Sequence, residues 1–91
     1  MKIINWNEDK NNLLKQDRNI SFEMVAEKLI NGDIIDDIIN PNNEKYSNQR
    51  IFVIEINAYI YFVPYLENEN EIFLKTIYPS RKFTKIYLGD I

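Results

Sequence analysis

The sequence predicts an α+β fold in which two N-terminal helices pack on an antiparallel β-sheet of meander order. Three observations lead to this class. An apolar stripe at helical spacing precedes residue 31, three strand-like segments with short connections follow residue 49, and the two patterns do not alternate. The 91 residues suffice for one domain, 1–91, and a hydrophobic content of 45% is typical of a folded chain.

The first helix is predicted over residues 8–18, after a short strand-like segment, Lys2–Trp6. Asn7 fits the N-cap position, because a side-chain oxygen there can accept from the free amides of the first turn. Glu8 and Asp9 follow, where the helix dipole favours acidic side chains. Few apolar residues occur in this segment, so the helix is predicted to be weak.

The second helix is predicted over residues 22–31 with a stronger pattern. Ser21 is its expected N-cap, and Gly32 is placed to end it in the left-handed conformation. The apolar stripe consists of Phe22, Val25, Ala26, Leu29 and Ile30. Such a stripe indicates a face that packs in the core.

The connection to the sheet leaves two interpretations open. Isoleucines on both sides of Asp36-Asp37 fit either a short strand or an irregular connection. The stretch 40–48 is rich in Asn and contains Pro41, which predicts a loop. Loops of this length in small domains are often functional or mobile.

Three strands are predicted over residues 50–56, 59–66 and 71–78, with turns at 57–58 and 67–70. Pro79 is expected to end the last strand. The segment Arg81–Leu88 fits either a short final helix or an irregular tail.

Regular hairpins would place residue 56 opposite 59 and residue 66 opposite 71, and strand alternation then sorts the side chains onto two faces. One face would carry Phe52, Ile54, Ile56, Tyr59, Tyr61, Val63, Tyr65, Ile72, Leu74 and Tyr78. The other would carry Ile51, Val53, Glu55, Ile60, Phe62, Leu66, Phe73, Lys75 and Ile77. Two short helices cover one face only, so the remaining apolar face is expected to bind a partner. The tyrosine-rich face suits a protein interface. A homodimer, or a sheet curled enough to bury both faces, is the alternative.

Composition excludes several classes of function. The chain has no cysteine and no histidine, which rules out disulfides, thiolate zinc sites and a Ser-His-Asp hydrolase. No apolar stretch approaches the length of a membrane span, and the N-terminal segment turns polar too early for a signal peptide. We therefore expect a cytoplasmic protein without membrane contact, metal or cofactor.

The charges are unevenly distributed along the chain. The net charge is −3, and the N-terminal half is rich in acidic residues. Between Phe73 and Leu88, however, the charged residues are all basic: Lys75, Arg81, Lys82 and Lys85. This asymmetry predicts a basic contact surface for nucleic acid or phosphate near the C-terminus. The predicted register places Lys75, Arg81, Lys82, Tyr59 and Tyr61 in one neighbourhood.

Three short motifs resemble those of the BrnT family of toxins. Trp6-Asn7-Glu8-Asp9-Lys10 resembles the family's Trp-Asp-x-x-Lys opening, and Ile20-Ser21-Phe22-Glu23 resembles its Val-Ser-Phe-Glu helix start. Arg81-Lys82-Phe83-Thr84 resembles its Ser-Ala-Arg-Lys-Ala-Thr ending. Their order and spacing fit over nearly the whole chain. The resemblance implies a RelE-like fold and the toxin half of a type II toxin–antitoxin pair. It also implies an endoribonuclease with an RNA substrate, neutralised by a small antitoxin that would contact the exposed sheet face.

RNA cleavage by 2′-hydroxyl attack needs a base, a group that stabilises the developing charge and a proton donor. Glu55, Tyr61 or a lysine could be the base, and Arg81 could grip the phosphate through its planar guanidinium. Lys75 could stabilise charge or supply a proton, while Tyr59 and Tyr78 could stack on bases. Lys82 and Lys85 would hold the RNA backbone. Alternatively, Glu55 and Lys75 form a cross-strand salt bridge, and the protein is a non-catalytic module that pairs with an antitoxin-like partner.

Overall fold

The computed structural model describes residues 2–40, 42 and 49–89. Within these residues there are three helices and six strands, which confirms the predicted α+β class. The elements are β1 Ile3–Trp6, α1 Glu8–Arg18, α2 Phe22–Asn31, β2 Asp36–Ile39, β3 Arg50–Ile56, β4 Tyr59–Glu67, β5 Glu71–Leu74, β6 Tyr78–Pro79 and α3 Arg81–Leu88. Most of the predicted 40–48 loop, Pro41 and 43–48, lies outside the described residues.

The predicted helix caps are confirmed. The Asn7 side chain accepts a 3.0 Å hydrogen bond from the Lys10 amide, and the Ser21 hydroxyl accepts a 3.3 Å bond from the Met24 amide. Gly32 ends α2 at φ +74°, a left-handed conformation in which a Cβ would be strained. Local side-chain chemistry therefore fixes both helix starts, as the sequence pattern indicated.

The sheet is mixed, whereas the prediction was purely antiparallel. Its strand order is β1-β5-β4-β3-β2, with β6 also paired to β4, and β1 runs parallel to β5. Ile3 is aligned with Glu71 and Trp6 with Leu74. The N-terminal strand thus joins the last long strand at the sheet edge, a long-range pairing that local sequence patterns do not encode.

The two hairpin registers differ in how well they follow the prediction. Ile56 pairs with Tyr59 as predicted, but Leu66 pairs with Phe73 and not with residue 71. The turn is centred one residue further along the chain than predicted, and there the Asn68 side chain accepts bonds of 2.9 and 2.8 Å from the amides of residues 70 and 71. Because the shift is two residues, the faces assigned to β5 are unchanged.

The strand predicted over 71–78 is interrupted by a β-bulge. The Lys75 amide donates a 2.8 Å bond to the Pro64 carbonyl, and Tyr78 pairs with Phe62. Val63 is thus opposed by two residues, 76 and 77. Pro64 has no N–H to return to the Lys75 carbonyl, so the ladder cannot continue regularly at this point.

The bulge reverses the alternation of side chains after Lys75. Ile77, predicted on the face of Phe62, is 1% exposed and belongs to the core cluster that contains Val63. Tyr78, predicted on the face of Val63, instead contacts Phe62, with ring centroids 5.8 Å apart. Both predicted face assignments are therefore wrong, for the single reason that one extra residue shifts the strand's period.

Two hydrophobic clusters define the faces of the sheet. The cluster on what we call the first face joins Phe52, Ile54, Ile56, Val63, Tyr65, Leu74 and Ile77 to Leu14, Ile20, Phe22 and Val25 of the α1–α2 region. The cluster on the second face joins Ile51, Val53, Ile60 and Phe62 to Ile38, Phe83 and Leu88. The tyrosine-rich face is therefore largely core. The second face, expected to be uncovered, is partly covered by α3.

Helix α3 is fixed to β4 by polar bonds as well as by apolar packing. The Thr84 hydroxyl is buried, accepts a 2.9 Å bond from the Ile60 amide and donates a 2.7 Å bond to the Ser80 carbonyl. The Ser80 amide donates to the Ile60 carbonyl at 2.9 Å. None of the described helices is both long and apolar enough to cross a membrane.

Candidate nucleic-acid interface

The outer side of α3 carries a group of exposed cations. Ser80 caps the helix by accepting a 3.2 Å bond from the Phe83 amide, while Phe83 and Leu88 pack on the second face. Arg81, Lys82 and Lys85 are consequently exposed. An amphipathic helix with this division presents its basic side to solvent, where it can meet phosphate groups.

These cations are not neutralised by acidic side chains of the described residues. The ion pairs found there join Lys2 to Glu67, Lys15 to Glu23 and Arg50 to Asp37. No pair involves Arg81, Lys82, Lys85 or Lys75 within that part of the chain. Surface cations that are not held in ion pairs remain available to a polyanion, and the carboxylate found against this helix is that of Asp36, which accepts a 3.0 Å bond from the Tyr87 phenol.

Glu55 and Lys75 do not meet in the structure. Glu55 lies opposite Ile60, whereas Lys75 lies opposite Pro64, four positions further along β4. At ~3.3 Å per residue this separates them by roughly 13 Å along the strand, in addition to the spacing between strands. The suggested salt bridge is therefore wrong. The Lys75 ammonium instead lies 5.5 Å from the centroid of the Phe73 ring.

The sheet divides the remaining predicted site residues. Tyr59 and Tyr61 pair with Ile56 and Ile54 on the first face, where their rings meet edge to face at 5.9 Å. Arg81 and its basic neighbours belong to α3, which packs on the second face. The shared neighbourhood predicted for Arg81, Tyr59 and Tyr61 is thus not formed.

Tyr78 is the predicted tyrosine that shares the second face with α3. Its ring contacts Phe62, and Phe62 in turn contacts Phe83 at 4.7 Å. Tyr78 remains 38% exposed, while its partial burial raises the pKa of its phenol. The bulge therefore places Tyr78 on the second face, where α3 packs. Regular alternation had predicted the opposite face.

A groove of about 470 Å³ with a mixed polar and apolar lining lies beside Tyr78. We call it the bulge groove, and its lining includes Lys10, Asn40, Gln49, Pro64, Lys75, Thr76 and Tyr78. A smaller cavity of about 250 Å³ adjoins it and shares Lys10, Thr76 and Tyr78. Lys10 was not among the predicted site residues, because nothing in its local pattern relates α1 to the bulge.

A second polar cluster joins three strands at the sheet edge. The Tyr65 phenol donates to the two carboxylate oxygens of Asp37, at 2.7 and 2.8 Å, and Arg50 Nε donates to the same carboxylate at 3.2 Å. Burial and the neighbouring carboxylate of Asp37 raise the pKa of Tyr65. Sequence patterns gave no signal for this cluster, which links β2 and β4 across β3.

Residues of the motifs at 6–10 and 20–23 connect α1 to α2. Trp6 stacks on Phe22 at 5.8 Å and donates to the Glu8 carboxylate at 3.1 Å. The fully buried Asn11 accepts from the Phe22 amide and donates to Glu23, both at 2.7 Å. The bond from Asn11 lowers the pKa of Glu23. These residues therefore have a structural role in this chain.

Taken together, the arrangement can attract and orient phosphate groups on the second face. It does not bring all four predicted catalytic residues to one point, since Tyr61 lies on the other face and Lys75 lies far from Glu55 along β4. Among the described residues no group of three acidic side chains is placed to hold a metal ion. No protein-family model, curated protein or solved structure matches this chain.

Proposed function

We propose that this protein is the toxin of a type II toxin–antitoxin pair, with a RelE/BrnT-like fold and a metal-independent endoribonuclease activity on cytoplasmic RNA. One observation carries the proposal: Arg81, Lys82 and Lys85 form an exposed cationic helix face without acidic partners among the described residues. Such a face supports binding to an RNA backbone even in a chain of net charge −3, because nearby charges dominate over screened distant ones.

The geometry favours one pair among the predicted catalytic residues. Glu55 is aligned with Ile60, and Ile60 is bonded to Ser80 and Thr84, which flank Arg81 in sequence. Glu55 and the start of α3 therefore lie at the same end of the sheet, and Glu55 also lines a cavity of about 610 Å³ together with Lys28 of α2. In the proposed reaction Glu55 takes the proton from the RNA 2′-hydroxyl as that oxygen attacks the phosphorus, and Arg81 stabilises the charge on the phosphate oxygens. The bond to the 5′-oxygen breaks, and this oxygen takes a proton from solvent water.

The proposed antitoxin contacts the part of the second face that α3 does not pack against. Leu66 pairs with Phe73, and Phe73 is aligned with Asn5 of β1. Leu66 and Ile3 are 38% and 63% exposed. An apolar patch beside a free strand edge is a common site for an added segment of a partner protein.

A non-catalytic binding module of the same fold is the second candidate. The separation of Tyr61 and Lys75 from Arg81 favours it, since two of the four predicted catalytic residues then lie away from Glu55 and Arg81. Such a module would still bind an antitoxin-like partner.

Controlled expression in a bacterial host tests the proposal, with growth and total RNA followed after induction. We expect growth arrest and new RNA ends from the wild type. Arg81→Ala and Glu55→Gln should abolish both effects, and Lys15→Gln, at an exposed residue of α1, should retain them. Normal growth and intact RNA at high expression would contradict the proposed ribonuclease activity. Co-purification of a small protein under those conditions would favour the binding module.

A further inference from the structure

The bulge groove combines features that residues 75–78 would not have in a regular strand. The bulge opposite Val63 turns Ile77 into the core and leaves Lys75, Thr76 and Tyr78 along the groove. Bulges occur preferentially beside functional sites, where they redirect a side chain. Pro64, whose missing N–H accounts for the bulge, lines the same groove.

The charge of the groove is positive. Lys10 from α1 and Lys75 from the bulged segment both line it, and neither has an acidic partner within salt-bridge distance among the described residues. The adjoining cavity adds Arg18 and one acidic residue, Asp17. Lys10 and Lys75, from distant parts of the chain, thus line one depression, and neither is ion-paired with a described carboxylate.

The remaining lining supplies hydrogen-bonding groups and an aromatic ring. Asn40 donates a 3.0 Å bond to the Gln49 side-chain oxygen, which orients the Gln49 amide and leaves its own hydrogens for an acceptor. Thr76 adds a hydroxyl, and the half-exposed Tyr78 adds a phenol whose ring is fixed against Phe62. A volume of about 470 Å³ is in the range of small-ligand sites.

We propose that the bulge groove binds one nucleotide unit of single-stranded RNA, with Lys10 and Lys75 on the phosphates and Tyr78 against the base. Cations near an exposed aromatic ring are the arrangement by which proteins hold single strands. The site lies between α1, whose Leu14 packs on the first face, and Tyr78, which is connected to α3 through Phe62 and Phe83. This inference rests on the proposed function and extends it by naming a second, separate contact region for the RNA.

The test is fluorescence anisotropy of a labelled 12-nucleotide RNA, titrated with wild type, Lys10→Gln, Lys75→Gln and the double variant at several salt concentrations. We expect each single change to weaken the affinity about fivefold, and the double change to reduce the magnitude of the log–log salt slope by about 1.4, since each single-strand phosphate contact contributes about 0.7. Lys15→Gln, at an exposed residue of the same helix as Lys10, is the matched control and should bind like the wild type.

The outcomes separate the groove from the proposed function. RNA binding that is lost on changing Arg81, Lys82 and Lys85 but unaffected in the Lys10/Lys75 double variant would overturn the groove alone. Absence of RNA binding by the wild type would overturn both. Competition by poly-glutamate as effective as competition by unlabelled RNA would also overturn the groove proposal, since the groove would then select an acidic peptide.

Discussion

The phenol of Tyr65 is bonded to the carboxylate of Asp37, so that a central strand is connected directly to an edge strand. The two distances are 2.7 and 2.8 Å, and the bond spans β3 from β4 to β2. Tyr65 is also stacked on Phe52, with centroids 3.8 Å apart and rings 5° from parallel. The position of β2 beside α3 therefore depends on one buried tyrosine as well as on the ladder.

Tyr65→Phe should destabilise the fold and reduce its sensitivity to alkali. Loss of a hydrogen bond to a charged group costs about 1.5–3 kcal/mol. The pKa of Tyr65 is raised in the folded protein, so its contribution is complete below the unfolded value of about 10 and is lost as pH rises toward the folded value. Between pH 9 and pH 11, the free energy of unfolding measured in urea should therefore fall more in the wild type than in the variant. Equal falls would exclude this bond as the cause.

Asn11→Ala should destabilise the contact between the two N-terminal helices. The substitution leaves the buried Phe22 amide without its 2.7 Å acceptor, which costs about 1–3 kcal/mol. Asn12→Ala is the matched control, because Asn12 is exposed on the same helix and should change stability by less than about 0.5 kcal/mol. Urea denaturation measures both. Equal midpoints for the two variants would contradict the role given to Asn11.

Thr84→Val should weaken the attachment of α3 to the sheet. Valine keeps the shape but removes the acceptor of the Ile60 amide and the donor to Ser80. We expect a loss of about 1–3 kcal/mol in the free energy of unfolding. Thr84→Ser keeps the hydroxyl and should lose less. If serine proved as destabilising as valine, methyl packing and not the hydroxyl would hold the helix.

Ile77→Ala tests the bulge directly. The side chain is 1% exposed in the first-face cluster, so truncation should cost about 2–5 kcal/mol. Ile86→Ala, at a residue that is 60% exposed on α3, should cost less than about 0.5 kcal/mol. Chemical denaturation of the pair gives the comparison. A small effect at Ile77 would indicate that the strand is regular and that the bulge is absent.

The sequence predicts features that depend on adjacent residues and misses those that depend on distant ones. Asn7 and Ser21 were identified as caps because capping is local chemistry, and the Ile56–Tyr59 turn because two residues connect its strands. The parallel pairing of β1 with β5 has no local signal. The bulge could not be predicted without knowing that Pro64 lies opposite Lys75.

The site was predictable to a similar extent. The run of cations from Lys75 to Lys85 is visible in sequence, and the structure leaves Arg81, Lys82 and Lys85 exposed on one helix. Alternation placed Tyr78 on the wrong face because the bulge changes the period. Lys10 was not predicted as a site residue, because only the tertiary structure brings it to the same groove as Lys75. Tyr61 and Arg81 lie on opposite faces of the sheet because α3 packs on the second face. Periodicity alone does not predict which face α3 covers.

The salt dependence of RNA affinity shows whether the cations of α3 contact RNA phosphates. The purified wild type and the triple variant Arg81→Gln, Lys82→Gln, Lys85→Gln would be titrated into a labelled single-stranded RNA between low and moderate salt. We expect an affinity that falls as salt rises, and a slope whose magnitude is smaller by about 2 in the triple variant, since each lost phosphate contact removes about 0.7. Identical slopes for the two proteins, or no binding by the wild type, would contradict the assignment of α3 as an RNA-binding face.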